Sequence, residues 1–593
     1  MNSETKNCQN CKQVFTIEPD DFAFYEKVKV PPPTFCRECR LQRRMAYRNE
    51  RALYKRVCDA PGHTEEMISV FSPDKPDRIY DHKAWWSDAW DPMVYGKKAD
   101  FSKPLFTQIR ELWREVPDIA ILNINPVNSD YCSITEDNKN CYLVIGGDYN
   151  EDCLYSAFVF NSKDCMDTYW VLKSELNYET VDSTGCSRLR WSRYCEGCYE
   201  SAFLFNCKNC HDCFGCVNLV NGAYQIFNVK YSKEAYLEKL KEFNLSDYDA
   251  IEELKKKFKL HSLKYPRRFT KAIQSVNSIG DNLEETKNCR FCFEVGGGAE
   301  DSAYIWLAYS NVKNCYDCDH FGRKSENSCE ASTIYPGSRV FFSKFIFSSH
   351  DVYYSYNCHN SSYLFGCIGL RSKQYCVLNK QYTKEEYEAL VPKLIAHMNT
   401  MPYADQGGRI HGFGEFFPAE LSPFAYNETI AQEYFPLTKE QALAQGYRWK
   451  DAEEKNYKVT LRSEDVPKTI SGVTDGILEQ IIGCAHNGTC TEQCTAAFKI
   501  VPQELAFYRR MNIPLPRFCS NCRHYARAAQ RNPLKLWHRA CQCAGDKSAN
   551  GAYANTAPHP HGAGPCKTDF QTPYAPEKPE IVYCEQCYQA EVA

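Results

Sequence analysis

One cysteine module is written twice in this chain, once near each end, and that duplication limits what can lie between. Residues 11–58 align with residues 494–541 without a gap, at a constant offset of 483, and 20 of the 48 positions are identical. Agreement over that length marks a duplicated folding unit rather than a shared composition. In the first copy Cys8-x2-Cys11 and Cys36-x2-Cys39 are separated by 24 residues. Two such knuckles can place four thiolates tetrahedrally around Zn2+, at Zn–S distances of ~2.3 Å. The segment between them carries Phe15, Ile17, Phe22, Phe24 and Tyr25, with Pro31–Pro33 ahead of the second knuckle. This pattern predicts a short hairpin covering the metal, in a unit that takes its folding energy from the ion. In the second copy Cys494, Cys519 and Cys522 map onto Cys11, Cys36 and Cys39. Cys490 supplies the fourth ligand through Cys490-x3-Cys494, with Cys484 as its rival.

The CxxC, the Phe-Tyr pair (Phe24-Tyr25, Phe507-Tyr508) and the P-x-x-C-x-x-C-R run (Pro33 to Arg40, Pro516 to Arg523) resemble the zinc-ribbon domain family. The likeness covers about 50 residues at each end. It implies metal binding and no reaction. As a whole the chain is similar to multi-cysteine proteins of small-genome, candidate-phyla-type bacteria, which adds no chemistry.

The duplication continues more weakly past residue 58. Pro73–Asp77 resembles Pro576–Glu580, and Tyr80 matches Tyr583. Cys584 and Cys587 follow in the C-terminal copy, where the N-terminal copy has Asp81 and Ala84. Cys541, Cys543, Cys584 and Cys587 form a further expected zinc site, with His559, His561 and Cys566 as competing ligands. On the N-terminal side, Trp85, Trp86 and Trp90 are expected to fill the space with packing.

A basic stripe follows each second knuckle. Arg40, Arg44, Arg48, Arg51 and Lys55 recur every three or four residues, as do Arg523, Arg527, Arg531, Lys535 and Arg539. On a helix each set shares one face, although Pro533 must end or kink the second helix. Arginine suits bidentate contact with phosphate or carboxylate. Two readings stay open here. The stripe (Arg40, Arg44, Arg48, Arg51, Arg523, Arg527, Arg531, Arg539) contacts nucleic acid or ribonucleoprotein, or it meets an acidic surface, of this chain or of a protein partner.

The middle is a second duplication. Residues from about 127 to 260 are echoed from about 276 to 400, as in Val127-Asn128-Ser129 and Val276-Asn277-Ser278, with an offset that creeps from 148 to 151. Within each copy, N-x-x-C-like steps recur about every 12 residues, at Cys141, Cys153, Cys165, Cys186, Cys198 and Cys210, and again at Cys289, Ser302, Cys315 and Cys329. Short strands and polar turns at a fixed period predict a parallel β-solenoid with small residues stacked inward. Helices after Ser232, near 249–260 and after the capping box Thr383-x-x-Glu386 are expected to cap it. Cys207, Cys210, Cys213 and Cys216 form a C-x2-C-x2-C-x2-C run close to a ferredoxin-type motif. The second copy reads Cys358, Ser361, Leu364 and Cys367, so ladder positions are the default and an iron–sulfur site the alternative.

The predicted fold is therefore multidomain and mainly β. It has a duplicated parallel β-solenoid-like centre with capping helices, flanked by two small zinc-ribbon modules. The expected domains are 1–100, 120–260, 275–400, a Gly/Pro/aromatic connector at 401–470 with its hinge at 451–470, and 480–593. The expected cofactor is Zn2+ at two to three sites. Thirty-four cysteines without an apolar leader or membrane span place the chain in a reducing cytoplasm, where CxxC pairs favour metal over disulfide. The net charge of −4 argues against a globally basic nucleic-acid binder. No GxSxG, P-loop, GxGxxG after a strand or HExxH assembles a catalytic group. The sequence therefore favours a non-enzymatic binding scaffold with no evident small-molecule substrate. A solenoid hydrolase or carbohydrate-binding protein using carboxylates such as Asp148, Asp152, Asp164 and Asp167 is the alternative.

Overall fold

The computed structural model describes residues 2–322, 324–451 and 458–592. The chain divides into two compact units, each assembled from distant segments. Unit 1 joins Met1–Ile121 to Thr270–Asp451, with Leu534–Leu536. Unit 2 joins Leu122–Phe269 to Ala452–Pro533 and Trp537–Ala593. The N-terminal module thus packs on the second solenoid copy, and the C-terminal module on the first. Part of the expected hinge, residues 452–457, lies outside the described residues.

The solenoid period has a simple backbone cause. From Ile134 to Phe227 every third residue takes a positive φ, and parallel rungs pair at a spacing of 12, as in Ala157↔Tyr169 and Tyr169↔Val181. Each coil therefore has four sides of three residues, with a left-handed corner on every side. The N-C step is one corner. Asn or Asp tolerates the left-handed conformation, as at Asn140 (φ 53°), Asp152 (φ 55°) and Asp164 (φ 51°), and the next residue turns inward. A bulkier corner residue costs about 1–2 kcal/mol. The ladder offsets that cost, since corner N–H groups donate to the preceding coil, as Asp152 to Lys139 and Asp164 to Glu151, both at 3.0 Å.

Inside, buried thiols hydrogen-bond to carbonyls, as Cys141 does to Lys139 (3.4 Å) and Asn150 (3.6 Å). Outside, side chains stack along the axis. Asn128 donates to Asn140 (3.1 Å), and Glu151 bridges Lys139 and Lys163. The second solenoid changes register from 11 residues (Ile279↔Arg290) through 13 (Val295↔Ala308) to 12 (Ser332↔Lys344). Those longer coils account for the creeping offset.

The helices begin where the sequence signals them. Lys233–Leu240 is capped by Ser232 and Tyr248–Ser262 by Asp247. Lys384–Thr400 opens on the Thr383/Glu386 capping box. One expectation fails locally. The segment between the knuckles is the helix Pro19–Val28, not a hairpin, and its counterpart is Pro502–Met511. Proline at the first helical position and acids in the first turn favour this start. The hairpin lies earlier, Glu4–Asn7 against Val14–Ile17, and carries the first knuckle.

Candidate metal centres and the arginine clamps

Cys8 and Cys11 sit at the tip of the first hairpin, and Cys36 and Cys39 at the start of the helix Arg37–Met45. Their four sulfur atoms lie within 4.8 Å of one another. Sulfur atoms at the corners of a tetrahedral site of four thiolates around zinc stand about 3.8 Å apart, so the cluster fits a metal ion. Cys11 and Cys36 sulfurs are 3.7 Å apart, and the Cys36 N–H donates to the Cys8 sulfur at 3.2 Å. Hydrogen bonds with Cys36 and Cys39 hold the Cys8 thiol below its ordinary pKa, and the same contacts push Cys36 above its own.

The C-terminal module repeats this geometry with Cys484, Cys494, Cys519 and Cys522. The Cys519 N–H donates to Cys484 at 3.3 Å, so Cys484 takes the role of Cys8. Cys490 stands outside the four, 3.7 Å from Cys522, in a second group with His486 and Glu492. Nine residues separate Cys484 from Cys494, against two between Cys8 and Cys11, and that insertion hides the equivalence in the sequence.

The extension holds two overlapping groups. Cys541, Cys566, Cys584 and Cys587 cluster together, with Cys566 where Cys543 was expected. Cys543 instead gathers with His559, His561 and, again, Cys587. The Cys584 N–H donates to Cys541 at 3.2 Å. The N-terminal copy keeps the same bond without the cluster: the Asp81 N–H donates to Cys58 at 3.3 Å, while Asp81 caps the helix His82–Trp86. Fully buried Trp85 packs there with Cys58, Tyr80 and Ile119, and Trp90 lies against that core. Trp86 is partly exposed.

The arginine stripes point inward. In unit 1, Arg40 pairs with Asp317 (2.9 Å) and Arg44 with Asp319 (2.9 Å). Arg48 shares Asp319 (3.0 Å), and Arg43 joins Glu330 (2.9 Å) to Glu415 (3.0 Å). In unit 2, Arg523 pairs with Asp167 (3.2 Å) and Glu504 (3.2 Å), Arg527 with Asp167 (2.6 Å) and Arg531 with Asp182 (3.1 Å). Arg40 lies over the Tyr304 ring and Arg523 over Tyr155. Asp317 and Asp167 are both left-handed corner residues of their solenoids. The stripe is not one helical face. The helices Arg37–Met45 and Ser520–Ala528 end before Arg48 and Arg531, which reach the solenoid from the following turn. Arg51 lies half-buried beyond it, and Arg539 donates to backbone oxygens of Ala575 and Glu580 (both 3.3 Å). All these guanidinium groups that pair with carboxylates are buried, so they offer no open face to a phosphate backbone.

Two further groups belong to the unit 1 clamp. Lys344 is buried and donates to the Tyr47 carbonyl; burial, then the charge of Arg48, pushes its pKa down to about 7. Glu330 is raised by burial against the pull of Arg43.

Cys207, Cys210, Cys213 and Cys216 are the four inward positions of a single coil, each following a left-handed corner (Asn206, Asn209, Asp212, Gly215). Each donates to a backbone carbonyl at 3.3–3.5 Å. In unit 2 a cavity of about 780 Å3 is lined by Glu179, Glu252, Glu492 and Glu580. Glu179 and Glu252 both bind Lys255, at 2.9 and 3.1 Å, so neither of these two stands free as an acid.

The geometry defines a mainly β protein with a solenoid centre and four-cysteine metal-binding clusters near both ends. No family model matches the chain, and no curated protein matches it. Among solved structures it is similar, at 10% identity and a TM-score of 0.10, to a "putative acetyltransferase from Desulfovibrio desulfuricans G20". That likeness covers 49% of this chain and 75% of the other, and it is too low to carry an argument. No helix among the described residues is long and apolar enough to cross a membrane.

Proposed function

We propose that the chain is a non-enzymatic, zinc-stabilised scaffold in which each ribbon clamps a solenoid. The observation that carries this is the repeated junction: the four-cysteine cluster fixes the start of a helix, and arginines from that helix enter the acidic corners of a solenoid. The zinc orders a segment too small to fold alone, and the ordered segment covers the solenoid's aromatic face. Phe24 stacks on Tyr316 with ring centroids 3.8 Å apart, and Tyr508 meets Tyr178 edge-on. The acidic partner of the stripe is thus the chain itself, and a nucleic-acid or ribonucleoprotein partner would use other surfaces. Metal content and the optical spectrum of the anaerobically purified full chain test this reading. Zinc without visible absorbance, lost one ion at a time in Cys36→Ser and Cys519→Ser, supports it. Stoichiometric iron with absorbance near 400 nm would overturn it in favour of the coil at Cys207–Cys216.

A further inference from the structure

We propose that the C-terminal extension holds two metal ions in one thiolate-bridged centre, with Cys587 as the shared ligand. The inference rests on the reading that the cysteine clusters bind metal and goes beyond it in nuclearity, ligand set and charge. Two donor sets meet at one sulfur. Cys541, Cys566 and Cys584 form one set with Cys587, and Cys543, His559 and His561 form the other with the same residue. In each set all donor atoms lie within 4.8 Å of one another. A thiolate bound to one ion retains lone pairs for a second, so the shared position is chemically available. The first set offers four sulfurs and the second two sulfurs and two nitrogens, both ligand sets that zinc takes in structural sites.

One ion is not enough to satisfy this region. If only the all-sulfur set were filled, Cys543, His559 and His561 would stand together without an ion. Both ring nitrogens of His561 are buried and have no hydrogen-bond partner. An unsatisfied buried polar atom costs about 1–3 kcal/mol, and a metal bond from one nitrogen removes part of that cost. His559 is already set for ligation. Its Nε2 faces the Glu591 carboxylate at 2.9 Å, while Nδ1 lies 3.4 Å from the Cys543 sulfur. A carboxylate on the far nitrogen is the usual arrangement behind a metal-bound histidine, since it fixes the tautomer and raises the basicity of the ligating nitrogen.

Glu591 is held in turn by the Tyr553 hydroxyl (2.9 Å), the Thr556 hydroxyl (2.8 Å) and the Thr556 N–H (2.9 Å). It lies one turn beyond Cys587 in the same helix, Glu585–Val592, so one element presents both the bridge and the carboxylate. Charge favours the pair as well. Five thiolates and two neutral imidazoles around two dications leave one negative charge, against two for a single dication in four thiolates. The Asn555 amide donates to Cys543 (3.3 Å), and the Cys584 N–H to Cys541 (3.2 Å), which spreads what remains.

Native mass spectrometry of the zinc-loaded full chain counts the ions. Four are expected, one in each ribbon and two here. His561→Ala is expected to lose one of them and Cys587→Ser two. Three ions in the wild type, or a full complement in His561→Ala, would overturn the proposal. The bridge has its own readout, which needs no variant and so does not depend on how a mutant folds. After exchange with 113Cd, two cadmium resonances should show mutual scalar coupling through the Cys587 sulfur, and uncoupled lines would refute the bridge. The ribbon reading fails separately, when Cys36→Ser and Cys519→Ser keep their ions.

Discussion

The two ends of the molecule share one junction and differ in what lies beside it. In both units a four-cysteine ribbon inserts arginines into solenoid aspartates, and the pairs correspond: Arg40 with Asp317, Arg523 with Asp167. Beyond the junction the N-terminal copy stabilises itself with a buried tryptophan, whereas the C-terminal copy gathers cysteine and histidine. The same strand-to-helix turn serves both. One backbone N–H donates to a cysteine sulfur, from Asp81 in one copy and from Cys584 in the other. The duplicated fold thus places possible metal ligands in one copy where the other has apolar packing, on the same turn. Unit 1 has also added charge, since Arg43 aligns with Ala526 and the Glu330–Glu415 bridge has no arginine to match it in unit 2.

Breaking each ribbon in turn tests the shared part most severely. Structural zinc contributes about 10–16 kcal/mol to folding small zinc modules, so Cys36→Ser and Cys519→Ser should each unfold one ribbon and leave the other intact. Hydrogen exchange read by mass spectrometry should show lost protection in Pro19–Val28 for the first and in Pro502–Met511 for the second. Simultaneous loss in both would mean the two junctions are not independent.

The divergent part separates by chelator. Trp85→Ala should cost about 3–5 kcal/mol as a large-to-small core substitution, and that loss should be the same with or without a strong chelator. Cys584→Ser should destabilise only when metal is present to be lost. Denaturant melts of both variants, each with and without chelator, decide this, and a chelator-sensitive Trp85 variant would contradict the exchange of metal for packing.

The buried ion pairs come next. Removing one partner of such a pair costs about 3–5 kcal/mol, because the other charge is left uncompensated. Arg44→Met and Arg527→Met should each lower the stability of their own unit by that order, with little change in salt dependence. If instead these variants keep their stability and lose salt-dependent affinity for RNA, the stripe is an open surface after all.

A further test is a pH response of unit 1, of the same order as the ion-pair effect. The Lys344 pKa falls from its ordinary value near 10.5 to about 7, so between those values the unfolded chain holds more protons than the folded one. Stability therefore rises with pH across that window, and the buried ammonium destabilises the fold below it. Lys344→Met should flatten the difference between pH 7 and 10 in hydrogen exchange of unit 1, with unit 2 as the internal control.

The local rules of this fold were legible in the chain. The N-C step states both a left-handed corner and an inward thiol, so the period of 12 already contained the coil. The capping box at Thr383 began a helix where it stood. The CxxC-like pairs marked the clusters but not every member. Cys484 could be named only as a rival, because a longer loop separates it from Cys494, and Cys566 only as a competitor, because no CxxC-like pair holds it. His559 could be named a competitor, yet Glu591 carried no signal at all, because a carboxylate in a terminal helix is ordinary until a histidine faces it.

The sequence by itself determined what is periodic or contiguous: two ribbons, two solenoid copies, their corners and their caps. These follow from backbone preferences that act within a few residues. Only the tertiary structure decided the partners. It set the first ribbon on the second solenoid, turned the arginines inward and made Cys587 common to two ligand sets. The reason is physical: a buried ion pair such as Arg44 with Asp319 forms across 275 positions, where charge and shape select the match and spacing along the chain carries no information.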